Sequence, residues 1–539
     1  MFQNLATTDL ILILLYFILL LGIGFHYSRK EKNSTDYFLA GKNVGWIAIG
    51  ASLFVTSISS EHFLGLAGTG ATYGLVVGHF ELMATFFVLL LSWVFVPFYI
   101  KSGVYTMPEF LERRYNKSSR MYLTTISIIS YVFTKILVIL YAGGLLLNEI
   151  MGLDMAVSAI IMITIAGMYS MTGGLKAIVH VDILQAMVFI LGALILTFFG
   201  LRNIGGLSEL QLKAPAHFFD MFRPSSDPVF PWTGIIFGVP ILGIWYWCTD
   251  QYVVQRVLGG RDINHVRSGT ILAGFLKILP VFILVLPGII AYVQFSDASL
   301  GDRAFPALIA GGLLPTGIKG IVIASFLAAL ISSLASSFNS SATLFTMDFY
   351  RQFRPHSTEK ELVLVGRLAT VAIISLGILL IPFLRFISSH IFIFLLKVQA
   401  YISPPIAAVF IIGLLWKRAN GTGAIWALGS GAVVSSFVLT FNFLCDGGYI
   451  YIPFLQPIAE INFLHFAVFL FLISSAVLVT VTLIVQSKSS DRMVLSTGFI
   501  DQPGIVQKIG DTELKWTKIN VGFSALLILI VLMLYAIFF

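Results

Sequence analysis

The sequence predicts an all-α polytopic membrane protein, because of its composition, the length of its apolar runs and the placement of its basic residues. Of the 539 residues, 58% are hydrophobic and 11% are charged, whereas soluble globular proteins have about 25% charged residues. Apolar runs long enough to cross a hydrocarbon core of about 30 Å recur from end to end. We therefore expect fourteen transmembrane helices.

The basic residues are divided unevenly between the two sets of alternate loops. About 23 lysines and arginines fall in one set and about 6 in the other. Cytoplasmic loops carry such an excess, so both termini are predicted to face the outside of a plasma (inner) membrane. No basic residue precedes the first apolar run, which starts at Leu10. We expect this run to be retained as a helix rather than removed as a signal peptide.

Charge and cysteine content argue against several other functions. The net charge of +7 is scattered between apolar runs, which indicates membrane loops rather than a nucleic-acid-binding surface. Cys248 and Cys445 are the two cysteines, too few for a disulfide framework or a zinc site. The loop acids, among them Glu109, Glu112 and Asp348, show no catalytic pairing, so an enzyme is not expected.

Several ionisable residues lie inside predicted spans, where lipid makes a charge costly. They are Glu61, His62, Glu81, Lys135, Asp182, Asp250, Lys277 and Lys397. Residues of this kind usually line a cavity or a solute pathway. For Asp250 and Lys397 the competing interpretation is a position near the interface, from which the side chain reaches water.

Two polar stretches point to a cation site. Residues 55–74 combine serines, an acid, a histidine and four glycines, which favours a helix broken in mid-membrane with free carbonyl groups. The ninth predicted helix carries Ser332, Ser333, Ser336 and Ser337, whose hydroxyl groups can surround a monovalent cation. In both stretches, helix packing by small residues is the alternative.

The same stretches carry a family resemblance that extends over nearly the whole chain. Its motifs are residues 59–68 (SSEHFLGLAG), 103–110 (GVYTMPEF), 173–177 (GGLKA) through Asp182, 245–251 (WYWCTDQ) through Gln255 and Arg256, 332–334 (SSL), 345–348 (FTMD), 404–410 (PPIAAVF) and 416–418 (WKR). In these motifs and their order the sequence resembles the sodium/solute symporter family, most closely its sodium/glucose and sodium/galactose cotransporters.

The resemblance implies a fold of two inverted five-helix repeats (LeuT-like) with flanking helices. The first repeat would cover residues 44–204 and the second 232–415. Residues 1–43 would form the first flanking helix and a cytoplasmic loop, 205–231 an extracellular loop, and 416–539 the C-terminal flanking helices. The first helix of each repeat would break at mid-membrane, at about 55–66 and 240–248, with solute between the breaks.

The resemblance also implies a sodium site of neutral oxygen atoms. Its ligands would be the carbonyl groups of Val55, Ile58 and Ala329 and the hydroxyl groups of Ser332 and Ser333. Asp182 matches an acidic position that some family members use for a second cation. An interface residue at the cytoplasmic end is the alternative for Asp182.

For the solute, the resemblance assigns polar and aromatic contacts. The solute-binding residues would be Ser57, His62, Glu81, Lys135, Tyr246, Trp247, Lys277 and Gln399. The gate would consist of Leu66, Phe80 and Phe392 on the outer side and Tyr246 on the inner side. These groups suit a sugar, whose hydroxyl groups donate and accept hydrogen bonds.

Three positions depart from the sugar-carrying pattern. Gly243 and Leu396 stand where sugar transporters usually have polar side chains, and Gln399 follows three residues after the second of them. Lys135 replaces an asparagine. These changes leave the particular solute open.

The predicted function is that of a secondary active symporter that imports a sugar or sugar-like polyol with sodium by alternating access. Its partners would be the solute, sodium and the lipid bilayer, with no nucleic acid. Sodium- or proton-coupled import of an organic acid or amino acid is the alternative. A membrane solute sensor that does not transport is a further alternative.

Overall fold

A computed structural model of the chain describes residues 5–28, 33–59, 61–386, 390–446, 452–453, 455–485 and 511–538. The described residues are predominantly helical, and twelve of their helices are long and apolar enough to cross a membrane. This finding confirms the predicted all-α, multi-pass fold class.

The helices are numbered in chain order. The first half of the chain contains α1 Thr7–Ser28, α2 Ser34–Leu39, α3 Trp46–Ser57, α4 Ala67–Tyr73, α5 His79–Leu90, α6 Val96–Ser102, α7 Met107–Arg114, α8 Lys117–Ser130, α9 Leu137–Met151, α10 Met155–Ile204, α11 Leu207–Lys213, α12 Trp232–Phe237, α13 Val239–Ile244 and α14 Gln251–Leu258. The second half contains α15 Ile263–Leu276, α16 Leu286–Phe295, α17 Ala304–Ala310, α18 Ile318–Leu344, α19 Arg351–Phe353, α20 Glu359–Leu380, α21 Ile391–Leu415, α22 Gly421–Asp446, α23 Gln456–Ala459, α24 Phe463–Ile484 and α25 Asp511–Ile537.

The predicted count of fourteen spans is not confirmed. The predicted spans 44–68 and 154–172 correspond to shorter apolar helices, Trp46–Ser57 and Met155–Met168. The second of these helices is joined to the next predicted span at Gly174, which has φ 46°. A Cβ atom there would lie 2.4 Å from the carbonyl oxygen of Tyr37, so this kink requires glycine.

Both predicted helix breaks are present. α3 ends at Ser57, and Ile58 leaves the helical region with φ −105° and ψ 85°. The second break falls at Asp250, two residues beyond the predicted range, where the backbone is extended (φ −76°, ψ 124°). The Asp250 carboxylate accepts the backbone N–H of Tyr252 and so starts α14. Each break opens backbone groups in the interior of the bundle.

The core of the bundle is α18. Every residue from Val322 to Leu344 is buried, and α18 packs against α10, α1, α3 and α20. By contrast, the outer helices α1, α24 and α25 expose leucine and isoleucine side chains, as a helix facing lipid does. Polar groups of α18 are thus held away from lipid. The division into inverted repeats 44–204 and 232–415 stays a prediction.

Candidate functional site

A cavity lies between the two helix breaks and collects most of the predicted solute residues. Its empty volume is about 610 Å³, which includes solvent space at its open mouth. The lining residues are His62, Phe80, Glu81, Ala84, Phe87, Val239, Leu242, Gly243, Tyr246, Trp247, Lys277, Phe392, Leu395, Leu396 and Gln399.

A chain of three ionisable side chains forms the polar part of the cavity. Glu81 on α5 accepts from Lys277 Nζ at 2.8 Å and lies 2.9 Å from His62 Nε2. Glu81 and Lys277 are 2% and 1% exposed, so neither would be tolerated there as a single charge. The Nδ1 atom of His62 has no hydrogen-bond partner among the described residues. His62 thus brings a buried ring nitrogen without a partner to the cavity wall.

Aromatic rings cover two sides of the cavity. Tyr246 and Trp247 stand edge to face at 5.4 Å between ring centroids, and Lys277 Nζ lies 5.3 Å from the centroid of Trp247. Opposite them, Phe80 and Phe392 meet at 5.5 Å. These pairs hold the predicted inner and outer gate residues at the cavity wall. Leu66, the third outer gate residue, is fully buried and does not line the cavity.

Gly243 is explained by its neighbour Phe87. A Cβ atom at Gly243 would lie 2.1 Å from a ring carbon of Phe87, so the ring occupies the space of a side chain. Leu396 lines the cavity with an apolar surface, and Gln399, one turn later on α21, supplies an amide. Two of the three departures from the sugar-carrying pattern, Gly243 and Leu396, thus line the cavity.

Lys135 is paired with an acid and lies beside the cavity. It lines a neighbouring small cavity that shares Leu395 and Gln399 with the first. Its Nζ atom is 3.2 Å from Asp250 Oδ2 and 3.5 Å from the centroid of the Tyr252 ring. The positive charge is therefore balanced within the protein, and Asp250 is a buried partner rather than an interfacial residue.

Ser57 is also outside the cavity. Its side chain is buried, and the hydroxyl group donates to the carbonyl of Phe54 at 2.9 Å. The side chain of Glu61 lies outside the described residues. The remaining predicted contacts, His62, Glu81, Tyr246, Trp247, Lys277 and Gln399, are brought together.

The predicted sodium ligands lie where the α3 break faces α18. Tyr252 Oη donates to the carbonyl of Thr56 at 2.9 Å and lies 3.5 Å from the carbonyl of Ser333. The Ser333 hydroxyl is buried without a hydrogen-bond partner among the described residues. Ala329 is fully buried, and the carbonyl of Val55 accepts from the Ile58 N–H at 3.1 Å. The buried Ser333 hydroxyl without a partner fits a cation that prefers neutral oxygen atoms.

Asp182 joins the same two helices. Its carboxylate accepts from Ser52 on α3 and from Ser332 on α18, each at 2.5 Å. The residue is fully buried inside the helix bundle. A carboxylate so close to the predicted sodium site adds negative charge where a cation would bind.

Two structurally important residues were not predicted as part of the site. Tyr252 links the predicted sodium site to the Lys135 pair, and Phe87 fills the space above Gly243. Tyr252 lies within the resemblance motif that runs from Trp245 through Arg256, and this position is a signal that could have found it. Phe87 lies in a plain apolar run, and no sequence signal marks it.

A bundle of membrane-spanning helices, with two broken helices beside a polar internal cavity, defines a membrane transporter. The family model for the sodium:solute symporter family matches residues 37–431, and the chain belongs to this family.

Relatives and solved structures agree with this assignment. The chain is 37% identical to the sodium/glucose cotransporter 1 of Oryctolagus cuniculus over 95% of this chain and 86% of the relative. It is 39% identical to a sodium/mannose cotransporter of Bos taurus over 89% and 87% of the two chains. It is 36% identical to the sodium/myo-inositol cotransporter of Canis lupus familiaris over 94% and 77%.

Among solved structures, a substrate-bound, outward-open Na⁺-coupled sialic acid symporter matches with a TM-score of 0.75 and 22% identity, covering 89% of this chain and 98% of that one. The nucleobase-cation-symport-1 family transporter Mhp1 matches with a TM-score of 0.56 and 14% sequence identity, and the match covers 84% of this chain and 96% of that one. These likenesses show a shared fold and confirm the predicted LeuT-like class.

Proposed function

We propose that this symporter imports a neutral sugar or sugar-like polyol together with sodium. The observation that carries the proposal is the charge balance of the cavity. Glu81 is matched by Lys277, and Lys135 beside the cavity is matched by Asp250. The solute therefore meets hydrogen-bond donors and acceptors whose charges are matched within the protein, which favours hydroxyl groups over a carboxylate.

The aromatic wall supports the same class of solute. Tyr246 and Trp247 offer ring surface to the apolar C–H face of a sugar, while Glu81 accepts and Lys277 donates hydrogen bonds. The relatives are named for glucose, mannose and myo-inositol. All three are neutral and carry many hydroxyl groups.

Alternating access couples the two sites in this proposal. Sodium, as a transported ion, binds Val55, Ile58, Ala329, Ser332 and Ser333 and holds the α3 break against α18. This step shapes the cavity at His62, and solute then closes the outer gate. Coupling requires that each ligand favours the state that the other favours.

The driving force follows from the ion. One sodium ion that crosses about 100 mV releases about 2.3 kcal/mol, and a tenfold sodium gradient adds about 1.4 kcal/mol. Together they sustain a solute gradient of a few hundredfold. A second sodium at Asp182 would square this ratio.

We also propose that the protein lies in the plasma membrane with both termini outside. The excess of basic residues in one set of loops supports this orientation. Single cysteines placed at residue 5 and at residue 360 would be labelled by an impermeant maleimide from outside and from inside respectively. The opposite pattern contradicts the orientation.

The decisive experiment is uptake into proteoliposomes that contain the purified chain. Labelled glucose, mannose, myo-inositol and an equally sized sugar acid are supplied with sodium outside or with potassium in its place. We expect sodium-dependent uptake of a neutral member, increased by an inside-negative potential. Uptake that is independent of sodium, or confined to the sugar acid, would refute the proposal.

A further inference from the structure

The two ends of the solute cavity differ in polarity. His62, Glu81 and Lys277 are the charged or chargeable side chains that line it among the described residues, apart from the tyrosine, and Glu81 contacts the other two. The His62 ring lies 6.1 Å from the ring of Phe392 between centroids, and Phe392 meets Phe80 at 5.5 Å. The charged groups therefore lie together, beside the predicted outer gate.

Three helices lead from this polar end to an apolar one. On α5, Phe87 is six residues beyond Glu81, about 9 Å along the helix axis. On α21, Leu396 is four residues beyond Phe392, about 6 Å along the axis. On α13, Gly243 meets the Phe87 ring, and α13 packs against both α5 and α21. Phe87, Gly243 and Leu396 all line the cavity, and we call them the far wall.

The far wall has no side chain that can hydrogen-bond. Phe87 and Leu396 are hydrocarbon, and Gly243 has no side chain. In the chain, the nearest polar residues of the cavity are Tyr246 and Gln399, each three residues farther along its helix, about 4.5 Å. A hydroxyl group placed against the far wall would therefore lose its hydrogen bonds to water without replacement, which is costly.

We propose that the preferred solute is a 6-deoxyhexose, a pyranose sugar whose exocyclic carbon is a methyl group. This inference rests on the proposed function, which supplies a neutral sugar in the cavity. The ring hydroxyl groups bond to His62, Glu81 and Lys277, and the methyl group lies against the far wall. The exocyclic carbon is the position of a hexopyranose at which loss of a hydroxyl group leaves a methyl group that projects from the ring.

Two related sugars fit the far wall less well. A hexose of the same ring configuration brings a hydroxyl group to the wall, which should raise its KM about fivefold or more. A pentose of the same configuration lacks the exocyclic carbon and leaves the wall uncovered. Loss of one buried carbon should raise its KM about fourfold.

Initial rates of sodium-driven uptake into proteoliposomes test the inference. The panel has the ring configurations of D-glucose, D-galactose, D-mannose and L-galactose. Each is supplied as the hexose, as its 6-deoxy derivative and as the pentose without the exocyclic carbon. In the configuration with the lowest KM, we expect the 6-deoxy sugar to have a KM about fivefold or more below that of the hexose. Its KM should be about fourfold below that of the pentose.

A variant of the far wall should change this preference. Leu396→Gln supplies an amide with a side chain of similar length, so it should lower the KM of the hexose relative to the 6-deoxy sugar about fivefold. Leu415→Gln makes the same change on the same helix. Leu415 is 76% exposed and does not line the cavity, so this control should leave the ratio unchanged.

A hexose or a pentose with a KM equal to or below that of the 6-deoxy sugar would overturn this inference and leave the proposed function standing. An unchanged ratio in an inserted Leu396→Gln protein would also contradict the far wall. If that variant is not inserted, the panel on the unchanged protein decides. If none of the neutral sugars shows sodium-driven uptake, the proposed function fails, and this inference fails with it.

Discussion

The contact between Gly243 and Phe87 allows a sharp test of the cavity. In Gly243→Ala the added Cβ atom would lie 2.1, 2.2 and 2.7 Å from three ring carbons of Phe87, so the ring, which lines the same cavity, must move. Overpacking of this kind costs about 1–3 kcal/mol. If that cost falls on the solute-bound state, the KM for solute rises between about fivefold and 150-fold.

Initial rates of sodium-driven uptake in proteoliposomes measure this change, with protein amounts equalised. Gly429→Ala on α22 is the matched control, because nothing lies within 4 Å of its added Cβ atom. Adding Phe87→Leu to Gly243→Ala should restore much of the affinity, since the smaller side chain leaves room. A Gly243→Ala protein with unchanged KM would refute the packing at this wall.

Three further changes separate the ion site from the solute site. Ser333→Ala should raise the sodium concentration for half-maximal uptake about tenfold or more, because a buried hydroxyl ligand is lost; an unchanged sodium titration contradicts the ion site. Lys277→Ala should abolish uptake, because it leaves the buried Glu81 carboxylate without its cation, at a cost in stability of about 3–5 kcal/mol. Transport at the normal rate would contradict the assignment of Lys277 to the solute site. Tyr252→Phe should lower the apparent affinities for sodium and for solute together, each by up to about tenfold. Uptake titrations of both ligands measure this change, and a loss of only one affinity contradicts the link.

The helical class and the breaks could be predicted because they follow from local sequence. Apolar runs specify membrane helices, and the serine- and glycine-rich stretch around Ile58 cannot form a continuous lipid-facing helix. The number of spans could not be fixed in the same way. Helix α10 (Met155–Ile204) consists of two helical segments that meet at Gly174, where the backbone is not helical (φ 46°, ψ −155°), and composition does not give the length of each segment.

The sequence predicted those parts of the candidate site that depend on the chemistry of a single residue. It missed those parts that depend on packing between helices. His62, Glu81 and Lys277 are conspicuous because lipid excludes them. The pairing of Lys135 with Asp250 depends on two helices 115 residues apart, which spacing does not predict. The role of Phe87 depends on a contact with Gly243, and an apolar residue among many gives no sign of such a contact.

Tyr252 gives the bundle a short route between the two sites. Its hydroxyl group contacts the carbonyl groups of Thr56 on α3 and Ser333 on α18, and its ring makes a cation–π contact with Lys135. Lys135 Nζ also lies 4.8 Å from the ring of Tyr246 at the cavity floor. One hydrogen bond contributes about 1 kcal/mol, so this route alone couples sodium and solute by no more than about tenfold. Stronger coupling requires further contacts between α3 and α18, and two are present: the Asp182 carboxylate, which bridges Ser52 and Ser332, and the contact of the Thr56 and Ser336 hydroxyl groups at 3.4 Å.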